Sequence, residues 1–323
     1  MSLDADQLVD RRRLRRKLSF WRVAAFVLAV VAILGVAAAS MQNGLFGPRS
    51  SHVARVNLTG IIVEDRKVEQ MFDKIANSSA AKALIVAIDS PGGTTAGAES
   101  VFDAIRKVAA RKPVVAQIGT VAASGGYAAA IAADHIVARR TSITGSIGVL
   151  FQWADVHRML GDIGIDFETI KSGPLKAEPN PFEPTSEDAK AAIRSLVMDS
   201  YDWFVGLVAD RRKLDPVEAR RIADGRVYSG GQALKLDLID AIGGEDAVRD
   251  WLATEYRIDR DLDIREWKPE SGLSGIGIAG AAASLARGLG WDTLALVIER
   301  SARSSVGSLD GLVSVWQPQD LEQ

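Results

Sequence analysis

One stretch limits the possible folds more than any other: VAASGGYAAAIAADHIVA, from Val121 to Ala138. Apolar strand-forming residues give way at Ser124 to a glycine pair and then to a run of alanines. A strand therefore passes through a single serine into a helix with almost no side-chain bulk. Such a helix packs tightly. Gly125 and Gly126 let the backbone approach another chain closely, and the helix start presents unpaired N–H groups and the positive end of its dipole. That environment suits an oxyanion beside the Ser124 hydroxyl. It equally suits Ser124 as an ordinary N-cap, the commonest reason for a serine at a helix start.

The flanking sequence alternates in kind. HVARVNLTGIIV is β-rich, and from Arg66 to Ala76 the residues Val68, Met71, Phe72 and Ile75 recur at helical spacing. KALIVAIDS is an apolar run of strand length, read as buried on both faces. It is expected to stop at Ser90-Pro91-Gly92-Gly93, where proline ends the strand and two glycines permit an unusual turn. Ala96 to Ala109 is a second helix with Val101, Ile105 and Val108 inward, and KPVVAQIGT is a second buried strand leading into the Ser124 stretch. HIVARR and the run from Thr144 to Phe151 continue the β pattern. This alternation predicts an α/β fold of stacked parallel strands crossed by helices.

Downstream the chain is more helical. The stretch from Asp166 to Lys190 is read as a strand leaving a Gly-Pro turn, then an irregular loop ending at a cap. Thr185 or Ser186 caps a helix from Glu187 to about Arg211, with Ile193, Val197, Tyr201, Phe204 and Val208 as its apolar positions. Shorter helices are expected in DPVEARRIADG, SGGQALKLDLID and GGEDAVRDWLATEY. Past Arg260 the pattern loosens. SGLSGIGIAGAAASLARGLG is too glycine-rich and short for a membrane span, and LDGLVSVWQPQ is expected to dock rather than dangle.

The amino terminus carries a different signal. RRRLRRK, Arg11 to Lys17, precedes WRVAAFVLAVVAILGVAAASMQ, in which Val23 to Met41 bears no charge and is long enough to cross a bilayer. The positive-inside rule keeps the tail in the cytoplasm and exports the rest, with Trp21 at the interface. Ala37-Ala38-Ala39 offers the alternative of a cleaved signal peptide, but the apolar run exceeds the usual signal core and favours a retained anchor. The expected organisation is a basic tail over 1–20, an anchor over 21–41, a linker over 42–50, a globular domain over 51–260 and an assembly or docking segment over 261–323. The chain has 323 residues, 47% of them hydrophobic and 25% charged, which is a globular balance; the formal net charge of −2 gives no pull toward nucleic acid. The absence of cysteine removes disulfides, thiolate nucleophiles and cysteine-bound metal together.

A nucleophilic serine needs a base. His52 lies beside the linker and His135 opens a strand, where a structural histidine is expected; His157 is not excluded by spacing, although nothing near it resembles a catalytic loop. Lysine is a known alternative partner for serine. A free lysine near 10.4 must fall by about three units, roughly 4 kcal/mol, to accept the proton, so a base lysine belongs under cover. Lys176 follows Ser172-Gly173-Pro174-Leu175, where a Gly-Pro turn can direct it inward. Lys171 is the rival, though its place in DFETIKS fits a solvated face more readily.

AIDSPGG, ASGGYAAA, TGSIGV and SGPLKAEPNPFEPTSED, in that order, resemble the membrane-bound signal peptide peptidases of the Ser-Lys class in their short, single-copy form. The likeness covers roughly Val53 to Ile242, and four ordered motifs are far more specific than one. It implies Ser124 as nucleophile, Lys176 as general base, and the Gly93 and Gly125 backbone N–H groups as oxyanion donors. Ser146 and Ser172 are candidates for orienting the lysine. The resemblance further implies a crotonase-like or Clp-protease-like spiral fold, with subunits joined in a ring or dome, an octamer. Serine and lysine then meet across a subunit interface. No metal or cofactor is expected. The implied substrates are remnant signal peptides and other extended apolar peptides, and the implied place is the inner (plasma) membrane, with the catalytic domain on its extracytoplasmic (periplasmic) side. A crotonase-type acyl-CoA enzyme and a catalytically silent membrane scaffold are the alternative readings of the same fold.

Overall fold

The computed structural model describes residues 21–23, 26–27 and 50–269, together with the backbone of 313–315. It divides into two units, Met1–Ser51 and His52–Gln323. In the first, residues 21–23 and 26–27 are helical and exposed; the rest of the expected anchor and the basic tail lie outside the described residues. Among the described residues no helix is long and apolar enough to cross a membrane.

In the second unit the apolar runs become strands because both of their faces are covered. β1 (His52–Ile62), β2 (Ala81–Thr94), β3 (Val114–Ala123) and β4 (His135–Ala138) pair in parallel, each with the next. α1 (Arg66–Asn77), α2 (Thr95–Ala109) and α3 (Gly125–Ile131) make the crossovers. α1 is capped by Asp65, whose carboxylate accepts from the Lys67 N–H at 2.8 Å, and it buries Met71, Phe72 and Ile75, three of the residues that set its helical spacing. Leu84, Val86 and Ile88 of β2 face a core shared with Phe72, Ile105 and Tyr127. Ala83 and Ile85, on the opposite face, join Val53, Val115, Val137 and two residues of a later helix, Val248 and Leu252. Each fully buried aliphatic side chain contributes about 1.5–3 kcal/mol.

The sheet has nine strands among the described residues. β5 (Ile143–Gly145) runs parallel to the end of β3, and β6 (Val227–Ser229) pairs antiparallel with β5. β7 (Ala241–Ile242) joins β4, and β8 (Ile264–Glu266) lies parallel to β1, so the sheet takes a strand from the stretch beyond Arg260 where the sequence pattern loosens. β9 (Val313–Val315), in the stretch expected to dock, pairs antiparallel with Gly92, Gly93 and Thr94.

β2 does not stop at Pro91. It continues through both glycines to Thr94, with Ile61 opposite Gly92 and Ile62 opposite Gly93. The missing proline N–H is tolerated because Pro91 sits in the register shift of the β1 ladder and just past the last β3 pair at Ser90. β3 follows β2 only as far as the Ser90–Ala122 pair, while β5 holds its other edge from Val121 to Ala123. Since β1 holds one edge of β2 as far as Gly93, β9 must occupy the edge that β3 has left.

α3 is buried along its whole length. Its alanines allow close approach to β2, β3 and α2, and Arg106 and Arg211 donate to the carbonyls of Ile131, Ala132 and Ala133 at its C-terminus, each at 2.8 Å. Two expectations fail beyond β5. Residues 163–171 form no strand, since no neighbouring strand pairs with them; they lie in a largely exposed arm with α4 (His157–Asp162). α5 (Glu187–Arg212) begins at Ser186, whose hydroxyl accepts from the Ala189 N–H at 3.1 Å. Its second half enters the main core through Phe204, Val205 and Val208, while in the first half Ala189 is buried, Ile193 and Val197 are half-buried and Leu196 and Met198 are exposed. α6 (Pro216–Ile222), α7 (Gly230–Lys235) and α8 (Glu245–Tyr256) form at the expected places.

His135 is structural, as its strand position suggested. Its ring stacks on Trp251 with centroids 4.6 Å apart, and its Nδ1 lies 3.8 Å from Asp240. Burial holds its pKa below the ordinary histidine value, against the upward pull of Asp240; Arg212 adds to the lowering. A group whose folded-state pKa is depressed by burial of its neutral form gives stability above its unfolded pKa and loses it as pH falls. The thermal midpoint of the parent is therefore expected to fall, as pH drops below about 6.5, more steeply than that of His135→Phe, which keeps the stack without the proton. Parallel melting curves across that range check this; equal slopes refute it.

Candidate active site

Ser124 stands between β3 and α3 with φ 55° and ψ −119°, a conformation that a side chain rarely adopts. Holding a non-glycine residue there costs on the order of 1–3 kcal/mol and requires the surroundings to enforce it. They do so through the backbone. The Ser124 N–H donates to the Gly145 carbonyl at 2.8 Å, and its carbonyl accepts from the N–H groups of Tyr127 and Ala128, both at 2.9 Å. The hydroxyl makes no capping bond to α3, and the residue is 1% exposed. The ordinary N-cap reading is thereby corrected: the turn holds Ser124 by its main chain and leaves the hydroxyl out of helix capping. A strained strand-to-helix turn of this kind is a recognised way to project a nucleophile.

Gly93 and Gly125 are adjacent in space. A Cβ on Gly125 would stand 3.2 Å from the Gly93 nitrogen and 3.2 Å from the Ala98 side chain, so the amide of the two-glycine segment lies against the residue after Ser124. Gly93 has no room for a side chain, since a Cβ there would fall 1.7 Å from the Ile62 carbonyl oxygen. Tyr127 anchors the helix below, donating its hydroxyl to the Leu238 carbonyl at 2.9 Å; burial pushes its pKa up, and it stays a donor.

Ser146 follows Gly145, the residue that receives the Ser124 N–H, and has a φ of 50°. Its own N–H donates to the Arg226 carbonyl at 2.8 Å, and it is 9% exposed. The Thr144 hydroxyl donates to the Ala122 carbonyl at 2.8 Å, tying β5 to β3. Ser124, Gly93, Gly125 and Ser146 thus gather at the C-terminal end of the parallel strands, where neighbouring strands part and open sheets bind their ligands.

Lys176 and Ser172 lie elsewhere in the single chain. Both are exposed on the arm, where the Lys176 N–H closes a turn on the Gly173 carbonyl at 3.1 Å and Ala177 takes a φ of 62°. The cover that a base lysine needs is not supplied at this position by the described residues of one chain. Lys171, expected on a solvated face, is instead clasped: its Nζ lies 2.5 Å from Glu178 and 2.5 Å from Glu183, and Asn180 donates to both carboxylates. Those hydrogen bonds raise its pKa above the ordinary lysine value, so it keeps its proton and is disqualified as a base. The two acids downstream of Lys171 were the available signal for this clasp, but an irregular loop gives no periodicity from which to foresee it.

The imidazoles are engaged elsewhere too. His52 is buried and accepts from Trp267 Nε1 at 3.1 Å, and His157 pairs with Asp155 at the start of α4.

The sequence model of peptidase family S49 matches residues 106–259. A protein of Synechocystis provisionally named a protease is 36% identical over 210 residues, covering 65% of this chain and 76% of that one. An Enterococcus faecium protein provisionally named signal peptide peptidase SppA is 33% identical over 199 residues, 61% of this chain and 58% of its own. The chloroplastic serine protease SPPA of Arabidopsis thaliana is 38% identical over 183 residues, 54% of this chain and 27% of that protein.

The glycine geometry separates two substitutions. Gly93→Ala is expected to cost about 3 kcal/mol or more, lowering the thermal midpoint by roughly 6–10 °C, because the Ile62 backbone cannot yield. Gly125→Ala is expected to keep the midpoint within about 2 °C, since its nearest contacts at 3.2 Å can ease apart, and yet to slow labelling of Ser124 by a fluorophosphonate. Melting curves and labelling rates of both variants decide it.

Proposed function

Because the chain belongs to peptidase family S49, we propose that it is a membrane-anchored serine endopeptidase in which Ser124 is the nucleophile and Lys176 the general base. Uncharged Lys176 accepts the Ser124 hydroxyl proton as the oxygen adds to a peptide carbonyl, and the Gly93 and Gly125 N–H groups hold the resulting oxyanion. The lysine ammonium then protonates the departing amine. Water, giving a proton to the same lysine, releases the acyl group and restores the serine.

The observation that carries this reading is the backbone at Ser124: a buried serine held at φ 55° by main-chain bonds, with the Gly93 amide packed beside the next residue. The edge of β2 supports the form of the substrate. At Gly92 to Thr94 it pairs with an antiparallel strand from the chain's own C-terminal region, so an extended peptide is the shape that this edge takes. The charge-free run from Val23 to Met41 supports the anchor, with the catalytic domain outside the inner membrane. Remnant signal peptides, released in that membrane, are the substrates in this reading.

The exposed arm supports a shared site. Ile163, Ile165, Phe167, Ile170 and Leu175 are all at least 47% exposed, which is costly for a lone subunit and natural for one whose neighbour covers them. In the proposed ring of spiral-fold subunits, an octamer, this arm brings Lys176 to the neighbour's Ser124 and supplies its cover. Ser146 and Ser172 orient the ammonium.

The full-length chain in detergent, given an apolar peptide and a fluorophosphonate, tests the reading. Ser124→Ala is expected to lose labelling and at least a thousandfold in turnover, and Lys176→Ala a comparable turnover loss; chelators leave the parent unaffected. Subunits of the two inactive variants, exchanged together, are expected to regain part of the activity. Absence of Ser124-dependent labelling in a folded oligomer means a silent scaffold, and exchanged subunits that stay inactive place serine and lysine in one chain.

A further inference from the structure

Ser90 is fully buried at the last point of contact between β2 and β3, opposite Ala122. Its hydroxyl donates to the Gly60 carbonyl at 2.7 Å and accepts from the Gly92 N–H at 3.1 Å. The Gly60 carbonyl reaches it because Gly60 takes a φ of +71° inside the register shift between Thr59 and Ile61. With the hydroxyl proton committed to that carbonyl, the oxygen's lone pairs face the Gly92 amide, and the direction of the bond is set. On its other side, the Ser90 carbonyl oxygen lies 2.7 Å from where a Cβ on Gly126 would stand, so Ser90 also abuts the turn after Ser124.

The consequence concerns how two successive amides are directed beside Ser124. The Gly92 N–H is consumed by Ser90, while the Gly93 nitrogen lies against Gly125. Two adjacent glycines have little intrinsic preference for one peptide orientation over another, and the hydroxyl supplies that preference. We propose that Ser90 is a positioning residue, which locks the Pro91–Gly92 peptide and thereby limits how the Gly92–Gly93 peptide beyond it can turn, so that the Gly93 N–H, and not its neighbour, faces the carbonyl attacked by Ser124. This inference rests on the peptidase reading above and adds to it a residue that does not itself touch the substrate. Without the hydroxyl, a buried donor on Gly92 loses its partner, and the peptide that carries it rotates to find another.

The test uses the full-length chain with Ser90→Ala and with Ser90→Cys, whose thiol has nearly the same volume and is a poor hydrogen-bond partner. Loss of an oxyanion donor outright lowers kcat by about 10²–10³, so a donor that is misdirected is expected to lower it roughly 10- to 100-fold, with KM within about twofold. A peptide aldehyde, which forms a tetrahedral oxyanion adduct, is expected to lose affinity by the same factor as kcat. The matching peptide alcohol, which forms none, is expected to bind as before. A folded variant that keeps kcat within threefold overturns the proposal, as does equal weakening of aldehyde and alcohol. Failure of the peptidase reading has a different signature: the parent itself then shows no Ser124-dependent turnover, and the role of Ser90 falls with it.

Discussion

Parallel strands that stay paired satisfy each other's edges, and a site at their ends exists only where pairing stops. β2 and β3 run together from Leu84 and Val114 to Ile88 and Ile118, meet again at Ser90 and Ala122, and then part. Beyond that pair β3 keeps only β5, on its opposite edge, while β2 carries on beside β1 with its other edge given to β9. Ser124 comes just after the parting, and Gly93 just beyond it on the opposing strand. The gap between two diverging strands therefore sets the distance between the hydroxyl and the amide, and every other feature of the site adjusts to that gap.

Keeping the gap narrow requires the near absence of side chains around it. Gly93 fits only as glycine against Ile62, Gly126 fits only as glycine against Ser90, and α3 offers alanines to the sheet and to α2. The strain at Ser124 is offset by the bonds that frame it: Gly145 on one side, the Tyr127 and Ala128 amides on the other. Arg106 and Arg211 at the far end of α3 complete the frame by satisfying carbonyls that a short buried helix otherwise leaves unpaired. A serine in an unfavourable conformation persists because its neighbours hold it from both directions.

The arm obeys different physics. Its inner contacts are polar, built on Lys171 between Glu178 and Glu183 with Asn180 bridging them, and its outer surface is apolar, with Ile163, Ile165 and Ile170 exposed. A loop that spends its charges on itself and turns its hydrocarbon outward leaves an apolar surface uncovered in the single chain. Lys176 sits on the turn that the clasp closes, so the lysine that is removed from consideration as a base still governs where the other one stands.

Much of this was legible in the sequence, where local pattern and final environment agree. The alternation of apolar runs with amphipathic stretches is the parallel sheet with its crossovers, because strands covered on both faces must be continuously apolar and helices covered on one must be periodic. The helix cap at Thr185 or Ser186 also reads correctly, and falls on Ser186, since a cap acts on its immediate neighbours. The continuation of β2 through Pro91, the largely exposed first half of α5 and the clasp on Lys171 do not, because each depends on a partner distant in the chain. By itself the sequence determined which residues are small, which are apolar and where the serine falls. Only the tertiary structure decided that β3 leaves β2 at Ser90, that Ser124 bends into a conformation its own residue type disfavours, and that Lys176 waits on an uncovered arm. Those are matters of long-range pairing and packing, in which the free energy of one residue is settled by atoms that the chain brings from elsewhere.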